Sequence, residues 1–248
     1  MSDALRLSGS RAIVTGANNG IGEAIVRTFV KQGAEVFAVD RPDSGLDSHF
    51  KSLRTVTPYE ASITDEKSVE EMIKLASETL NGLDVVVNNF SIQSSTPIGD
   101  GDEVGLKQFL DRKIQLYGFI ARTALPYLEK SPTGRIINMG CIRSAFSLDG
   151  NAAYAKSESA LAELTQALAA EAGPFGTTVN YVHPGAIMTP ASRRIFSDDK
   201  ALRDHCIAHS AAKRLGDPVD IAKVILFLAS DDAVFVSGTG IVVDGGSS

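Results

Sequence analysis

The sequence predicts an α/β fold, a single-domain Rossmann-type doubly wound parallel sheet with helices on both faces. Three observations predict it. Short apolar segments typical of buried strands alternate with longer segments whose apolar residues recur at helical spacing. The 248 residues are 44% hydrophobic, which suits one large core. A glycine-rich turn joins the first strand segment to the first helix segment. We therefore expect one domain over residues 1–248.

The predicted elements alternate regularly along the chain. Predicted strands cover Arg11–Thr15, Glu35–Asp40, Val85–Asn88, Arg135–Met139, Thr178–His183 and Ile241–Val243. Predicted helices cover Gly22–Gln32, Thr64–Leu80, Gln108–Lys130 and Ala153–Ala172. Two stretches, at about 91–105 and 188–216, have the least regular pattern. Because loops beyond the carboxyl ends of strands line the ligand crevice of such sheets, we expect both stretches to be substrate loops.

Charge and cysteine content restrict the classes of partner. The net charge is −6 and the charged residues are scattered, which argues against nucleic acid or an anionic membrane as a partner. Cys141 and Cys206 lack the spacing of a metal site or a disulfide, as in proteins of a reducing compartment. No apolar run reaches transmembrane length. We expect a cytoplasmic protein with a small-molecule substrate.

The glycine-rich turn is the strongest local motif. Residues 15–22 read TGANNGIG, so the backbone can turn tightly and the following helix can offer free N–H groups to a pyrophosphate. Asp40 ends the next strand, where a carboxylate can accept hydrogen bonds from ribose hydroxyls and repel a 2′-phosphate. Arg41, beside it, could instead hold a phosphate. These residues predict a site for NAD, with NADP less favoured.

With further motifs, the chain resembles the short-chain dehydrogenase/reductase family over essentially its whole length. Asn88-Asn89, the PGAIMT segment at 184–189 and the DGG segment at 244–246 match that family in order. Residues 218–238 resemble its 3-oxoacyl-carrier-protein-reductase-like members. The resemblance implies a homotetramer and the following cofactor-binding residues: Gly16, Asn19, Gly20, Ile21, Gly22, Asp40, Ile63, Asn89, Tyr154, Glu158, Pro184, Gly185, Ile187 and Thr189.

The catalytic positions depart from the pattern of that family. The resemblance implies a serine, a tyrosine, a lysine and an asparagine where this chain has Cys141, Tyr154, Glu158 and Gln115. Residues four apart share a helix face, so Glu158 is expected beside the Tyr154 phenol, where an anion disfavours the phenolate. A thiol is also a weaker hydrogen-bond donor than a hydroxyl. Phe90 further places a large ring beside the expected cofactor path.

Three functions therefore remain open. The first is NAD(H)-linked oxidation or reduction of a secondary alcohol or carbonyl, made inefficient or atypical by the substitutions. The second is a redox-silent nucleotide-binding protein, or a subunit that supports a catalytic paralogue. The third is a non-redox isomerase or lyase with Tyr154 and Glu158 as acid and base. His205 and His209 lie four apart without a third ligand, so we expect a helix surface there and no metal site.

Overall fold

The computed structural model describes residues 5–18, 20–90, 103–140 and 152–247, with the helical backbone alone for 103–110 and 152–158. Its strands are β1 (Arg11–Thr15), β2 (Glu35–Asp40), β3 (Val56–Glu60), β4 (Val85–Asn88), β5 (Arg135–Met139), β6 (Thr178–Pro184) and β7 (Gly240–Val243). Its helices are α1 (Gly20–Lys31), α2 (Leu46–Phe50), α3 (Glu66–Leu80), α4 (Glu103–Leu128), α5 (Ala152–Ala172), α6 (Pro190–Asp198), α7 (Lys200–His209) and α8 (Pro218–Ala229).

The seven strands form one parallel sheet in the order β3-β2-β1-β4-β5-β6-β7, which confirms the predicted fold class. Helices cover both faces of the sheet, and each face has its own apolar cluster. Val14 belongs to one cluster and Ile13 to the other, because successive side chains of a strand point to opposite faces. Both faces of the central strands are therefore covered, which explains why the middle residues of β1, β2 and β4 are apolar. Among the described helices, none combines the length and apolar character needed to cross a membrane.

Each cluster is built by a particular set of helices. Helices α1 and α8 supply the first, and α3, α4 and α5 supply the second. Representative side chains, each fully buried or nearly so, are Ile25, Phe29, Ile221 and Ile225 in the first, and Met72, Ile73, Ile120 and Leu168 in the second. Because α4 and α5 both connect parallel neighbouring strands, they run in the same direction, from the carboxyl edge of the sheet back to its amino edge.

The structure contains elements that the sequence pattern did not predict. Strand β3 has the sequence VTPYE, and its proline removes a ladder donor, which is tolerated because β3 is at the edge of the sheet. Helices α6 and α7 lie within the segment 188–216, where we expected a loop. They bury one side chain each, Phe196 and Cys206, so their apolar periodicity is too weak to indicate a helix. Side chains of Thr189 and Asp199 cap their N-termini.

A buried ion pair ties β1 to β4 at the amino edge of the sheet. Arg11 donates to Asp84 Oδ2 from Nε at 2.8 Å and to Oδ1 from Nη2 at 2.7 Å. Ser131 Oγ donates to Asp84 Oδ1 at 2.6 Å. Burial acts to raise the pKa of Asp84, but the hydrogen bonds from Arg11 and Ser131 outweigh it and hold that pKa below its usual value. The Arg11–Asp84 ion pair thus links the starts of β1 and β4 at the amino edge of the sheet. The candidate site lies at the opposite, carboxyl edge.

Candidate active site

The candidate site lies at the carboxyl edge of the sheet, where β1 and β4 end side by side. The strand order reverses here, since β2 and β3 continue to one side of β1 and β4 to β7 to the other. Such a switch point leaves a crevice between the loops that follow the two central strands. Asn89 joins these loops, because its backbone N–H donates to Thr15 Oγ1 at 2.9 Å and its Nδ2 donates to the Gly16 carbonyl at 3.2 Å.

The glycine-rich loop after β1 is packed so closely that two of its positions admit only glycine. Gly16 has φ +62°, and a Cβ there would overlap the carbonyl oxygen of Asn89. A Cβ on Gly22 would overlap the Gly16 carbonyl oxygen and come within 2.9 Å of Asn89 Nδ2. At these two positions the glycine-rich loop, the first turn of α1 and Asn89 therefore pack directly against one another. A glycine-rich turn that leads into a helix is suited to bind a phosphate, because the first backbone N–H groups of the helix are free to donate to it.

Asp40 lies at the end of β2, beside the same loop. Its Oδ2 accepts the Asn18 backbone N–H at 2.8 Å, and its Oδ1 accepts the Arg41 backbone N–H at 2.8 Å. Asn18 Nδ2 in turn donates to the Ser44 carbonyl at 2.7 Å. An ionised carboxylate offers about four lone-pair positions, so each oxygen retains capacity for a further donor. The half-buried Asp40 is thus oriented and can still accept hydrogen bonds from ribose hydroxyls.

The segment after β6 reaches across to the start of α1. A Cβ on Gly20 would lie 3.3 Å from Thr189 Cβ and Cγ2, so the first and last predicted cofactor segments meet. Ile187 is buried and pairs with Gly216, whose carbonyl accepts the Met188 N–H at 2.7 Å. Thr189 also begins α6 by a reciprocal capping interaction with Ser192. These bonds hold the segment in place beside the glycine-rich loop.

Other predicted cofactor residues contribute mainly to packing. Ile21 and Ile63 are each 7% exposed, and Pro184 and Gly185 are buried at the end of β6. Gly185 donates its N–H to the Val243 carbonyl at 2.9 Å, which fastens this end of β6 to β7. Any contact from these residues to a cofactor would therefore come largely from backbone or side-chain edges. Asn19, also predicted, lies outside the described residues.

The structure places Gln115 away from the crevice, where we expected it to lie. Gln115 is exposed and lines a surface cavity of 530 Å³ with Arg112, Phe119 and the start of α3, so it does not reach the crevice. Lys113, two residues earlier, is buried, and its Nζ donates to the Gly140 carbonyl at 3.4 Å, just beyond β5. Residues two apart point to nearly opposite sides of a helix. Lys113 thus reaches the carboxyl end of β5, whereas Gln115 lies on the outer face of α4.

The sequence contains a pattern that indicates the burial of Lys113. The buried stripe of α4 contains Leu116, Ile120, Ala124 and Leu128, and Lys113 extends it by one turn. A lysine on the apolar stripe of a helix is uncommon unless its charge is paired or hydrogen-bonded. Our assignment of Gln115 followed the family resemblance instead, and Gln115 lies on the outer face of the helix.

Comparisons with known proteins agree with this geometry. A family model described as enoyl-(acyl carrier protein) reductase matches residues 16–248. A solved structure of a short-chain dehydrogenase/reductase, glucose/ribitol dehydrogenase, from Brucella melitensis has a TM-score of 0.85 and 29% identity, with 98% of each chain covered.

The chain belongs to the short-chain dehydrogenase/reductase family.

Two curated members of the family illustrate the similarity. Oxidoreductase UcpA of Salmonella typhimurium is 31% identical over 253 residues, which cover 98% of this chain and 96% of that protein. The 3-oxoacyl-[acyl-carrier-protein] reductase FabG of Thermotoga maritima is 30% identical over 246 residues, which cover 98% and 99%. Short-chain dehydrogenases/reductases are oxidoreductases that use nicotinamide cofactors. The closely packed glycine-rich loop and the Asp40 carboxylate of this chain fit such a cofactor.

The catalytic positions of this short-chain dehydrogenase/reductase fall largely outside the described residues. Cys141 lies outside them altogether. Tyr154 and Glu158 belong to α5, but their side chains lie outside the described part of the chain.

Two further sequence features can be placed in the structure, Phe90 and the pair of histidines on α7. Phe90, which we expected beside the cofactor path, is half-buried and packs against the cluster built by α3, α4 and α5. The His205 and His209 rings stack at 3.9 Å between centroids on the exposed part of α7. Within the described ranges, no group of three or more His, Cys, Asp or Glu side chains could hold a metal ion.

Proposed function

We propose that this protein binds NAD(H) and oxidises or reduces a small secondary alcohol or carbonyl compound by an atypical variant of the family's chemistry. The observation that supports it most is the pairing of the glycine-only cradle with the oriented Asp40 carboxylate at the switch point of the sheet. The cradle suits a pyrophosphate, and the carboxylate suits the two hydroxyls of an unphosphorylated adenosine ribose. A 2′-phosphate would instead meet a carboxylate of like charge.

In this proposal, each part of the site has a separate role in binding the cofactor or in the reaction. The nicotinamide, when bound, supplies or accepts the hydride. The backbone of the glycine-rich loop binds the pyrophosphate, and the Ile187–Thr189 segment, which meets the start of α1, closes the other side of the crevice. Tyr154 hydrogen-bonds the substrate oxygen and exchanges the proton there.

The substitutions make this chemistry slower than that of a typical family member. A thiol at position 141 donates a weaker hydrogen bond to a developing oxyanion than a hydroxyl does. Loss of one such donor costs about 10²- to 10³-fold in turnover. Glu158 adds a carboxylate where the family pattern has an ammonium, which disfavours the phenolate form of Tyr154 and hence its use as a base. We therefore expect slow turnover together with ordinary cofactor affinity.

Exposed apolar side chains favour assembly with further copies or with a related subunit. Phe235 is 100% exposed, and Val234 and Val242 near it in the chain's last segment are 66% and 63% exposed. Single exposed apolar residues are common, but several exposed apolar residues within a short segment are typical of interfaces. We propose a homotetramer that uses the β7 side. A redox-silent role beside a catalytic paralogue is the second candidate, and the acidic residue at position 158 favours it.

Calorimetric titration with NAD, NADH, NADP and NADPH tests the cofactor assignment, and a panel of secondary alcohols tests turnover. We expect NADH to bind more tightly than NADPH. Asp40→Asn should weaken NADH binding by about tenfold or more, because it removes charge-assisted hydrogen bonds of about 1.5–3 kcal/mol. It should also reduce the ratio of the Kd for NADPH to the Kd for NADH. Asp47→Asn, an exposed carboxylate in the first turn of α2, is the matched control and should leave both affinities unchanged.

Two results would separate the candidates. Tighter binding of NADPH than NADH, or no binding of either by folded protein, would overturn the NAD assignment. Tight NADH binding with no change in nicotinamide absorbance across the whole panel would instead favour the redox-silent role.

A further inference from the structure

The turn between β2 and α2 is held by a carboxylate from a neighbouring strand. Helix α2 begins after Gly45, which has no side chain to cap it, so the first N–H groups of the helix need another acceptor. Glu60 ends β3, and its Oε1 accepts the Leu46 backbone N–H at 2.6 Å and the Ser44 hydroxyl at 3.0 Å. These hydrogen bonds, with further ones from the backbone of Gly45 and Asp43, hold the pKa of Glu60 below its usual value. The exposed Glu60 is therefore ionised and bonded at neutral pH.

The backbone of this turn needs contacts that hold it in place. Asp43 has φ +60° and Gly45 has φ +78°, so two residues of the turn are in the left-handed region. Glycine adopts that region freely, whereas other residues are uncommon there and stay only where neighbouring contacts hold them. Each residue of the turn, from Asp43 to Leu46, donates a hydrogen bond to Glu60. The Glu60 carboxylate is thus the common anchor of the turn.

The same turn is connected to Asp40, the carboxylate that the proposed function assigns to the adenosine ribose. The Ser44 carbonyl accepts a hydrogen bond from Asn18 Nδ2 at 2.7 Å, and the Asn18 backbone N–H donates to Asp40 Oδ2 at 2.8 Å. Because Asn18 belongs to the glycine-rich loop, it links the turn after β2 to the loop after β1. Glu60, the turn, Asn18 and Asp40 therefore form one continuous chain of hydrogen bonds.

The two carboxylates of this chain have different roles. Asp40 and Glu60 are register partners at the ends of β2 and β3, and like charges on neighbouring strands disfavour each other unless donors surround them. An ionised carboxylate offers about four lone-pair positions, and the donors of the turn can fill those of Glu60. Asp40 accepts only the backbone N–H groups of Asn18 and Arg41 in the described part of the chain. Glu60 is thus occupied by the turn, whereas Asp40 retains capacity for a ligand.

We propose that Glu60 is a positioning residue for the adenosine end of the cofactor. It fixes the turn of residues 43–46, and the turn acts through the Ser44 carbonyl and Asn18 to hold the Asp40 carboxylate in the orientation that accepts the ribose hydroxyls. The effect on the cofactor rests on the proposed function, whereas the anchoring of the turn does not.

Calorimetry of NADH and NADPH binding to Glu60 variants of the full-length protein tests this role. Glu60→Ala should raise the Kd for NADH by about 3- to 10-fold, the loss expected when one hydrogen bond to the ribose is misplaced. The Kd for NADPH should not rise, because a 2′-phosphate gains nothing from the Asp40 carboxylate. This split is the decisive readout, since a general loss of stability would weaken both cofactors alike. Glu60→Gln removes the same charge but keeps an oxygen that can accept from Leu46 and Ser44, so its effect should be clearly smaller.

A double variant tests the path between Glu60 and Asp40. Asn18→Ala removes the Nδ2 bond to the Ser44 carbonyl but keeps the backbone N–H on Asp40. If the two residues act through one chain, Glu60→Ala/Asn18→Ala should weaken NADH binding no more than the stronger single variant, whereas independent effects would multiply. Multiplied effects, an equal rise in the Kd for NADPH, or equal losses in Glu60→Ala and Glu60→Gln would each overturn the proposal.

Hydrogen exchange of the cofactor-free protein tests the anchoring independently of the proposed function. Glu60→Ala should speed amide exchange in the peptide that contains residues 43–46. Asp47→Asn, which removes an exposed carboxylate from the first turn of α2, is the matched control and should leave that exchange unchanged. Unchanged exchange in Glu60→Ala would show that the turn does not depend on Glu60 and would overturn the proposal. Failure of the unmodified protein to bind either cofactor would contradict the proposed function, and the exchange rates would then decide the anchoring by themselves.

Discussion

Replacement of Gly22 by alanine should damage the candidate cofactor site through a single added methyl group. The new Cβ would overlap the Gly16 carbonyl oxygen and lie 2.7 Å from its carbonyl carbon and 2.9 Å from Asn89 Nδ2. Optimal carbon–carbon contacts are about 3.5–4.0 Å, so the loop must move by about 1 Å. Two of the three obstructing atoms are backbone, and these cannot rotate out of the way.

The structure gives the size of the expected effect. Overpacking of a tight interior site costs about 1–3 kcal/mol, and loss of the Asn89–Gly16 hydrogen bond adds about 0.5–1.5 kcal/mol. We expect the free energy of unfolding of Gly22→Ala to fall by about 2–4 kcal/mol. If the loop holds a pyrophosphate, a shift of 1 Å should also remove charge-assisted hydrogen bonds of about 1.5–3 kcal/mol, which raises the Kd for NADH by about 10- to 100-fold.

Gly173→Ala is the matched control for this experiment. Gly173 has no heavy atom within 4 Å of its added Cβ, and its backbone φ is outside the left-handed region. We expect its free energy of unfolding to stay within about 0.5 kcal/mol of that of the unmodified protein, with unchanged NADH affinity. Urea unfolding and calorimetry measure the two quantities. A folded Gly22→Ala protein that binds NADH within twofold of the unmodified protein would refute the assignment of the glycine-rich loop as the pyrophosphate site.

Two further predictions concern other parts of the molecule. Asp84→Asn should lower the free energy of unfolding at neutral pH by about 3 kcal/mol, because Arg11 loses a buried carboxylate. The pKa of Asp84 is lowered by folding, so its contribution is present above the unfolded-state pKa of about 3.9 and is lost as pH falls through the folded-state pKa. The variant should therefore show a flatter acid limb in urea titrations below about pH 4, whereas Asp232→Asn, in an exposed pair, should behave as the unmodified protein. Phe235→Ser should lower the molar mass that light scattering measures, because it removes a fully exposed apolar ring from the proposed interface. Phe175 is half-exposed elsewhere, so Phe175→Ser should leave the mass unchanged. Equal masses for both variants and the unmodified protein would exclude the β7 side as an interface.

The sequence predicted the central part of the fold well, for a physical reason. The strands β1, β2, β4 and β5 are covered on both faces, so each contains a short run of apolar residues, and their bounds follow from these runs. Elements with little buried surface escaped prediction. Strand β3 is at the edge and contains Pro58, and α6 and α7 bury one side chain each, so none of the three has a strong apolar periodicity.

The site was predictable where backbone geometry imposes the residue type. Gly16 and Gly22 admit no side chain, and Asp40 is the last residue of the second strand, so local sequence indicated all three. The assignment on α4 was harder, because the family resemblance indicated Gln115 without indicating which face of the helix it occupies. The packing of α4 against β5 shows that Lys113 is buried beside β5 and that Gln115 is exposed. A motif without its helix phase could not make that distinction.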